Sequence, residues 1–338
     1  MLTDIVSLDR VQAAFQTHTF AVHDRQSAID FLHSKDLSKS HTSRYISWMI
    51  LLDGIPEDPK LWPLTFYHII RSYRSKLDYY LSDPNKKVFN IPKCLDDKST
   101  DAIRSDVNRA MTWFRRFAKT IGNDDNLIDD PEIETRIVRM ICIMIREAPQ
   151  FHYLQGYERF AFISFSLSLY FSVKIGLSLI EAEAFSVSLY RRLISLSEVA
   201  SFLKNESFIM QYFSDIDGYL MSANSKMMFT LQKIPVTSVD FASNWVGVLF
   251  ADNHTPLSCL LIWDHILLHQ KDFKKFFNAL ISAHLKQVEN FDDPFEQLTA
   301  IQNFGDWNVE ELIDEAENQM NEPILKRTSV IGFTAFWL

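Results

Sequence analysis

The chain has 338 residues, of which 47% are hydrophobic and 23% are charged, and its formal net charge at pH 7 is −9. This composition supports a packed core and excludes a disordered chain. An acidic protein lacks the positive field that draws proteins onto phosphate backbones, which argues against nucleic acid as the main partner. The length fits either one large helical domain or two average ones.

Glycine is scarce, with eight residues in the whole chain, and no two of them lie closer than twenty positions. Dinucleotide-binding loops, P-loops, kinase glycine loops and nucleophile elbows all need clustered glycines, because the backbone must approach a phosphate or turn sharply. The sequence therefore excludes nucleotide binding or covalent catalysis through any of these motifs.

Helical periodicity dominates, beginning with residues 1–40, which we interpret as an N-terminal helical extension. Residues 133–145 carry apolar side chains at three- and four-residue steps, and Asp130-Pro131 predicts the start of this helix. Thr255-Pro256 and Asn308 predict two later helix starts in the same way. No alternating strand pattern is present. We therefore predict an all-α protein built as a single large multi-helix domain.

The most apolar stretch, residues 160–180, contains five serines and Lys174, so we expect a buried core helix there and no membrane span. The last ten residues, 329–338, are apolar but too short to cross a bilayer, and a docking tail and the stub of a longer anchor remain open. The three cysteines, Cys94, Cys142 and Cys259, are far apart and odd in number. They predict a reducing compartment without disulfides, and we expect a soluble, cytoplasmic protein.

Residues 306–322 hold seven acidic side chains and no basic one, which is typical of a solvated helix face. His265 and His269 lie four positions apart in a predicted helix, which would put both imidazoles on one face. No HExxH motif or Cys/His cluster accompanies them, so we predict no metal site. A helical enzyme that uses this pair is the third of three hypotheses for function.

Three segments have a more particular residue order. The first follows the pattern IxxDxxR, the second follows YxQG, and the third runs from residue 240 to a Trp-Asp pair. Their distinctive residues are Asp106 and Arg109 in the first segment, Tyr153, Gln155 and Gly156 in the second, and Trp245, Trp263 and Asp264 in the third.

In this order and spacing, the three segments resemble the motifs of the TBC domain, the fold of GTPase-activating proteins for Rab GTPases. Arg44-Tyr-Ile-Ser-Trp48 resembles the opening helix of that family, and residues 135–141 resemble the helix before its glutamine motif. The resemblance covers residues 41–290. It leaves residues 291–338 as an acidic helical segment with a hydrophobic tail.

The resemblance implies a function for each motif. Arg109 would be an arginine finger and Gln155 a glutamine finger, both inserted in trans into a GTP-bound Rab. The protein would thus activate a GTPase without being an enzyme itself, and would regulate vesicle trafficking. It would have no cofactor of its own, because GTP and Mg²⁺ are carried by the partner. Asp106, Tyr153 and Gly156 would support the fingers, and four residues would be structural: Trp48, Trp245, Trp263 and Asp264.

The sequence departs from the family pattern at both fingers. Ala110 replaces the usual threonine after the arginine, and Tyr157-Glu-Arg159 replaces Met-Asn-Asp after the glutamine motif. The tyrosine resembles the branch associated with the endoplasmic reticulum, which implies peripheral contact with endomembranes. Glu158 adds negative charge near the phosphates, which is unfavourable for activity unless Arg159 offsets it. The second hypothesis is therefore a catalytically silent TBC scaffold that binds a GTPase or another partner without stimulating hydrolysis. Apart from the family resemblance, Asp106 and Arg109 would be read as a surface ion pair on an ordinary helix.

Overall fold

The computed structural model describes residues 7–80, 95–148, 153–196 and 206–321. All regular structure in these ranges is helical, with sixteen α-helices, two 3-10 turns and no strand. The prediction of an all-α protein is confirmed. Cys94 and the apolar segment 329–338 lie outside the described residues, whereas Cys142 and Cys259 are buried thiols that are not in a disulfide.

The helices form two compact units, each made of two stretches of the chain. The first unit takes residues 7–196 and 255–268 and contains α1 (Leu8–Gln16), α2 (Arg25–His33), α3 (His41–Leu51), α4 (Trp62–Tyr80), α5 (Asp97–Thr120), α6 (Asp125–Ile128), α7 (Ile133–Glu147), α8 (Tyr157–Lys174), α9 (Leu179–Leu196) and α13 (Pro256–Leu268). The second unit takes residues 206–254 and 269–321 and contains α10 (Glu206–Ala223), α11 (Ser225–Leu231), α12 (Ser238–Val248), α14 (Phe273–Gln287), α15 (Pro294–Asn303) and α16 (Val309–Asn321). The 3-10 turns are Pro59–Leu61 and Gln270–Asp272.

Helix α8 lies at the centre of the first unit, where it packs against α3, α5, α7 and α9. Its residues 160–169 are all buried, including three of the serines that argued against a membrane span. The helix ends at Lys174, and Gly176 with φ 76° turns the chain towards α9. These observations confirm the expected core helix. In the described part of the chain, no helix is both long and apolar enough to span a bilayer.

Helix α7 is buried on both of its faces, which its periodicity did not predict. The apolar residues pack into the core as expected, but Arg136 and Arg139 are also buried. Arg139 Nε donates to Glu183 Oε1 of α9 at 2.6 Å, and Arg136 Nη1 donates to Glu183 Oε2 at 3.1 Å. Two arginines are buried here because α9 supplies their counter-charge.

The N-terminal helices belong to the core of the first unit. Helix α1 packs against α4, and α2 packs against α3 and α13. Val11 and Leu32 are fully buried in these contacts. Asp24 begins α2 with a capping box, because its carboxylate accepts from Ser27 N at 2.7 Å and the Ser27 hydroxyl accepts from Asp24 N at 3.0 Å.

Of the three helix starts predicted from the sequence, those at Thr255-Pro256 and Asn308 agree with the structure and the one at Asp130-Pro131 does not. Helix α13 begins at Pro256, and Thr255 Oγ1 accepts from Ser258 N at 3.3 Å, as predicted. Helix α7 begins at Ile133, two residues after the predicted proline, and Asp130 Oδ1 instead accepts from Glu132 N at 2.8 Å. The aspartate therefore caps the turn that precedes the helix.

Helices α14 and α16 pack together in the second unit. Leu312 and Ile313 are fully buried on the inner face of α16. The acidic residues lie on its other face, where Glu315 is bound by Lys286 Nζ at 2.5 Å. Helix α16 is therefore amphipathic, in agreement with a solvated acidic face.

Candidate functional site

The IxxDxxR and YxQG segments meet in the first unit. Asp106 lies on α5, and Tyr153 lies just before α8, which packs against α5. The Tyr153 hydroxyl donates a hydrogen bond to Asp106 Oδ2 at 3.0 Å, although 47 positions separate the two residues. This bond joins the helix that carries the arginine to the turn that carries the glutamine.

Arg109 extends into solvent from α5. Its side chain is 63% exposed, and its guanidinium forms an ion pair with Asp106, one helical turn earlier, whose side chain is 14% exposed. Ion pairs with such access to solvent contribute only about 0.2–1 kcal/mol. The guanidinium can therefore leave Asp106 for another anion at a small cost in free energy.

Gln155 is exposed in the turn that leads into α8. The next residue, Gly156, is buried and has φ 103°, in the left-handed region that favours glycine. Gly156 is also the N-cap of α8. The glutamine therefore lies at the positive end of a helix dipole, where an anionic group is favoured.

Glu158 lies in the first turn of α8 and is only 5% exposed. Its Oε2 atom accepts from Gly156 N at 2.8 Å and from the Tyr153 hydroxyl at 3.2 Å. The expected effect of this charge on phosphates of a GTPase stays a prediction. The carboxylate is turned inward, towards the backbone of the glutamine turn.

Arg159 lies beside this carboxylate, with Nη1 at 3.4 Å from Glu158 Oε1. Its guanidinium also lies over the ring of Trp113 on α5, 4.9 Å from the ring centroid. A cation at this distance from an indole face is attracted by the ring quadrupole. Arg159 therefore offsets the charge of Glu158 and adds a second contact between α5 and the start of α8.

The tyrosines of the site remain hydrogen-bond donors at physiological pH. Burial, reinforced by the nearby Glu158 and Asp106 carboxylates, raises the pKa of Tyr153 far above its usual value. Burial alone raises the pKa of Tyr157 to about 12. The Tyr153 hydroxyl thus holds one proton between two carboxylates, and it links Asp106 to Glu158.

An open cleft of about 570 Å³ borders Tyr153. It lies between the N-terminal turns of α5 and the C-terminal end of α7, and its lining includes Lys98 and Arg146. Of the site residues predicted from the sequence, Tyr153 is the one in its lining.

Asp264 and two tryptophans lie in the core of the first unit. Asp264 is fully buried and accepts from Trp48 Nε1 at 2.7 Å, from Arg44 Nε at 3.1 Å and from Lys39 Nζ at 3.2 Å. The ring of Trp263 stacks on Trp48 with centroids 5.9 Å apart. These contacts hold α13 against α3.

Trp245 lies in the second unit and is 3% exposed. Its ring centroid is 5.6 Å from that of Phe250 and 5.4 Å from that of His284. His284 in turn lies 2.9 Å from His254, measured between their Nε2 atoms. Trp245 thus belongs to an aromatic cluster in the core of its unit.

His265 and His269 do not share a helix. Helix α13 ends at Leu268, so only His265 lies on it, where it is fully buried. His269 precedes the 3-10 turn and stacks on Phe276 with centroids 4.2 Å apart. The prediction that one helix face carries both imidazoles is wrong, because the helix ends before the second histidine.

The comparison with known families agrees with the motifs. The family model described as the Rab-GTPase-TBC domain matches residues 41–290. The chain belongs to the Rab-GTPase-TBC domain family. The match spans parts of both compact units and includes every site residue predicted from the sequence.

One solved structure of a Rab-GAP domain resembles this chain in fold. The chain is similar to the Ypt/Rab-GAP domain of Gyp1p, with a TM-score of 0.64 and 14% identity, covering 93% of this chain and 99% of the other. The Chlamydomonas flagellar RabGAP TBC domain aligns at a TM-score of 0.41 with 11% identity, over 85% of each chain. A search of curated protein sequences finds no significant match. At these identities the likeness concerns the TBC fold alone.

Sequence analysis assigned no positive function to Glu158 and did not connect Trp113 with the TBC motifs. An acidic residue in the first turn after a glycine N-cap is a recognisable capping pattern, and it is the signal by which Glu158 could have been found. Trp113 had no comparable pattern, because its partner Arg159 lies on another helix.

Proposed function

We propose that this TBC domain activates a GTP-bound Rab GTPase, with Arg109 and Gln155 inserted in trans into its nucleotide site. The observation that carries the proposal is the hydrogen bond between Tyr153 and Asp106, which brings the two finger segments together. Both finger side chains are exposed beside this bond. A protein that completes the active site of another protein needs this kind of exposure.

Arg109 would neutralise charge in the transition state. GTP hydrolysis builds negative charge on the oxygens around the bond between the β- and γ-phosphates, and a GTPase alone compensates it poorly. A guanidinium is always protonated and offers a planar fork of donors to phosphate oxygens. Such a finger accelerates hydrolysis by about 10³ to 10⁵, which is roughly 4–7 kcal/mol of barrier.

Gln155 would orient the attacking water. A side-chain amide accepts a hydrogen bond from water through its oxygen and donates through its nitrogen, and it carries no charge to desolvate. Gly156 lets the backbone turn beside it, and the start of α8 favours an approaching anion. GTP and Mg²⁺ would arrive with the partner, because the carboxylates of Asp106 and Glu158 are already bound to Arg109, Tyr153 and Gly156.

The experiment is phosphate release from a panel of GTP-loaded Rabs, with the wild type beside Arg109→Ala and Gln155→Ala. We expect the wild type to stimulate GTP hydrolysis by at least one Rab. Arg109→Ala should lower the stimulated rate by about 10³-fold or more, and Gln155→Ala should also lower it strongly. Arg104→Ala is the matched control, since Arg104 is an exposed arginine of α5 that pairs with Asp101 at 3.1 Å. It should keep wild-type activity.

The outcome of the panel separates the two main hypotheses. Stable Rab binding without stimulated hydrolysis would contradict our proposal and favour the silent TBC scaffold. The inward direction of the Glu158 carboxylate argues for the active form.

We also propose that the protein acts in the cytoplasm at the surface of endomembranes, as the relation to Rab trafficking implies. Fractionation of cells that express the full chain tests this location.

A further inference from the structure

Glu158 is a buried carboxylate between the two finger segments. Charged side chains are rarely buried unless every oxygen has a partner, because removal from water penalises the ionised form. Here the donors are the Gly156 amide, the Tyr153 hydroxyl and the Arg159 guanidinium. All of them belong to the glutamine turn or to the first turn of α8.

The contacts of Glu158 lie on both sides of Gln155. Tyr153 is two residues before the glutamine, and Gly156 is the residue after it. One oxygen, Oε2, binds both of these neighbours, at 3.2 Å and 2.8 Å respectively. The carboxylate therefore closes the turn across its base and leaves the glutamine side chain outside, exposed to solvent.

The same contacts reach the arginine. The Tyr153 hydroxyl also lies 3.0 Å from Asp106 Oδ2, and Asp106 pairs with Arg109. A hydrogen-bonded chain therefore runs from Glu158 through Tyr153 and Asp106 to Arg109. The Tyr153 hydroxyl shares its one proton between the two carboxylates. When the guanidinium moves to a phosphate, the hydroxyl can turn this proton towards Asp106, while Glu158 keeps its bond to the Gly156 amide.

We propose that Glu158 is a positioning residue that orders the Gln155 turn before the GTPase binds. Glu158, the Gly156 amide and the Tyr153 hydroxyl together form what we call the Glu158 clamp. This inference rests on the proposed function, since its catalytic effect passes through Gln155. Without the clamp, the turn samples many conformations, and few of them direct the amide towards the attacking water.

The kinetic test is a double-mutant cycle in the full chain, with a Rab that the wild type stimulates. Glu158→Ala should lower kcat by about 10- to 100-fold with little change in KM, because a misplaced catalytic group costs rate more than binding. In a Gln155→Ala background, the same substitution should change kcat by less than about twofold, because the group that it positions is gone. Glu158→Gln keeps an oxygen acceptor for the Gly156 amide and should restore much of the lost rate.

Glu134→Ala is the matched control, since Glu134 also contacts α5, through Asn108 Nδ2 at 3.2 Å, but lies outside the clamp. It should leave kcat unchanged. Equal losses of kcat for Glu158→Ala in both backgrounds would indicate a general structural role and overturn the proposal, as would wild-type kcat in the single variant.

Hydrogen exchange provides a readout that needs no GTPase. The Gly156 amide should be protected in the wild type and exchange about tenfold faster or more in Glu158→Ala, with an intermediate rate in Glu158→Gln. If no Rab responds to the wild type, the proposed function fails, and exchange still tests the clamp. Equal exchange at Gly156 in all three proteins would overturn it.

Discussion

Removal of Asp264 should destabilise the protein strongly, because it leaves two cations in the core without their counter-charge. Arg44 is fully buried, and the side chain of Lys39 is 3% exposed. Breaking a buried ion pair from one side costs about 3–5 kcal/mol. Asp264→Ala also removes the acceptor of Trp48 Nε1, so we expect a loss at the upper end of that range. Such a loss is a large fraction of the free energy of unfolding of a typical domain, which is roughly 5–15 kcal/mol.

The assay is urea unfolding at pH 7, followed by circular dichroism at 222 nm as a measure of helix. Asp264→Asn keeps an oxygen for Trp48 Nε1 but loses the charge, and should fall between the wild type and Asp264→Ala. The matched control is Asp101→Ala, because Asp101 forms an exposed ion pair with Arg104. It should change stability by less than about 0.5 kcal/mol. A loss for Asp264→Ala below about 1 kcal/mol would refute the argument.

The pH dependence of the Asp264→Ala variant gives a second check. Burial lowers the pKa of Lys39 even with Asp264 present, and without the carboxylate it should fall further. At pH values between the pKa of Lys39 in the folded protein and its pKa in the unfolded chain, the unfolded chain binds more protons. The free energy of unfolding therefore rises with pH in this range. The difference in the free energy of unfolding between the wild type and Asp264→Ala should therefore be smaller at pH 9 than at pH 7.

Two further predictions concern the histidine pair and the glycine of the glutamine turn. Burial lowers the pKa of His254 to about 4, and burial together with the neighbouring His254 lowers the pKa of His284 well below its usual value. As pH falls from 6.5 towards 4, only the unfolded chain takes up these protons, so unfolding free energy should decrease by up to about 1.4 kcal/mol per pH unit for each histidine. Urea unfolding from pH 7 to pH 4.5 checks this, and a pH-independent midpoint would contradict it. Gly156→Ala should lower the free energy of unfolding by about 1–2 kcal/mol, because φ 103° disfavours a residue with a side chain. It should also remove much of the GTPase activation. Gly218→Ala, on α10 with nothing within 4 Å of the added Cβ, should instead gain about 0.5–1 kcal/mol by thermal unfolding; equal effects at the two positions would rule out the backbone argument.

The segments of the candidate site could be found from the sequence because each is local. Asp106 and Arg109 are one helical turn apart, so their pairing follows from helix geometry alone. The need for glycine beside Gln155 is likewise a property of one backbone position. The catalytic roles of Arg109 and Gln155 stay predictions until the assays are done.

The inward direction of Glu158 could not be predicted in the same way. Sequence alone placed a negative charge beside the glutamine, and its effect depended on where the carboxylate pointed. The bond of this carboxylate to the Gly156 amide is local, but its second donor is Tyr153, which also binds Asp106, 47 residues away. A contact between distant segments is decided by packing, which local patterns do not contain.

By itself, the sequence determined the all-α class, two helix starts and the order of the TBC motifs, because helix periodicity and capping act over a few neighbouring residues. Only the tertiary structure decided which charges are buried. Arg139 lies in the core because Glu183 comes from another helix, and Asp264 binds Arg44 from 220 positions away. A buried charge is stable only beside its partner, and that partner is known only after the chain has folded.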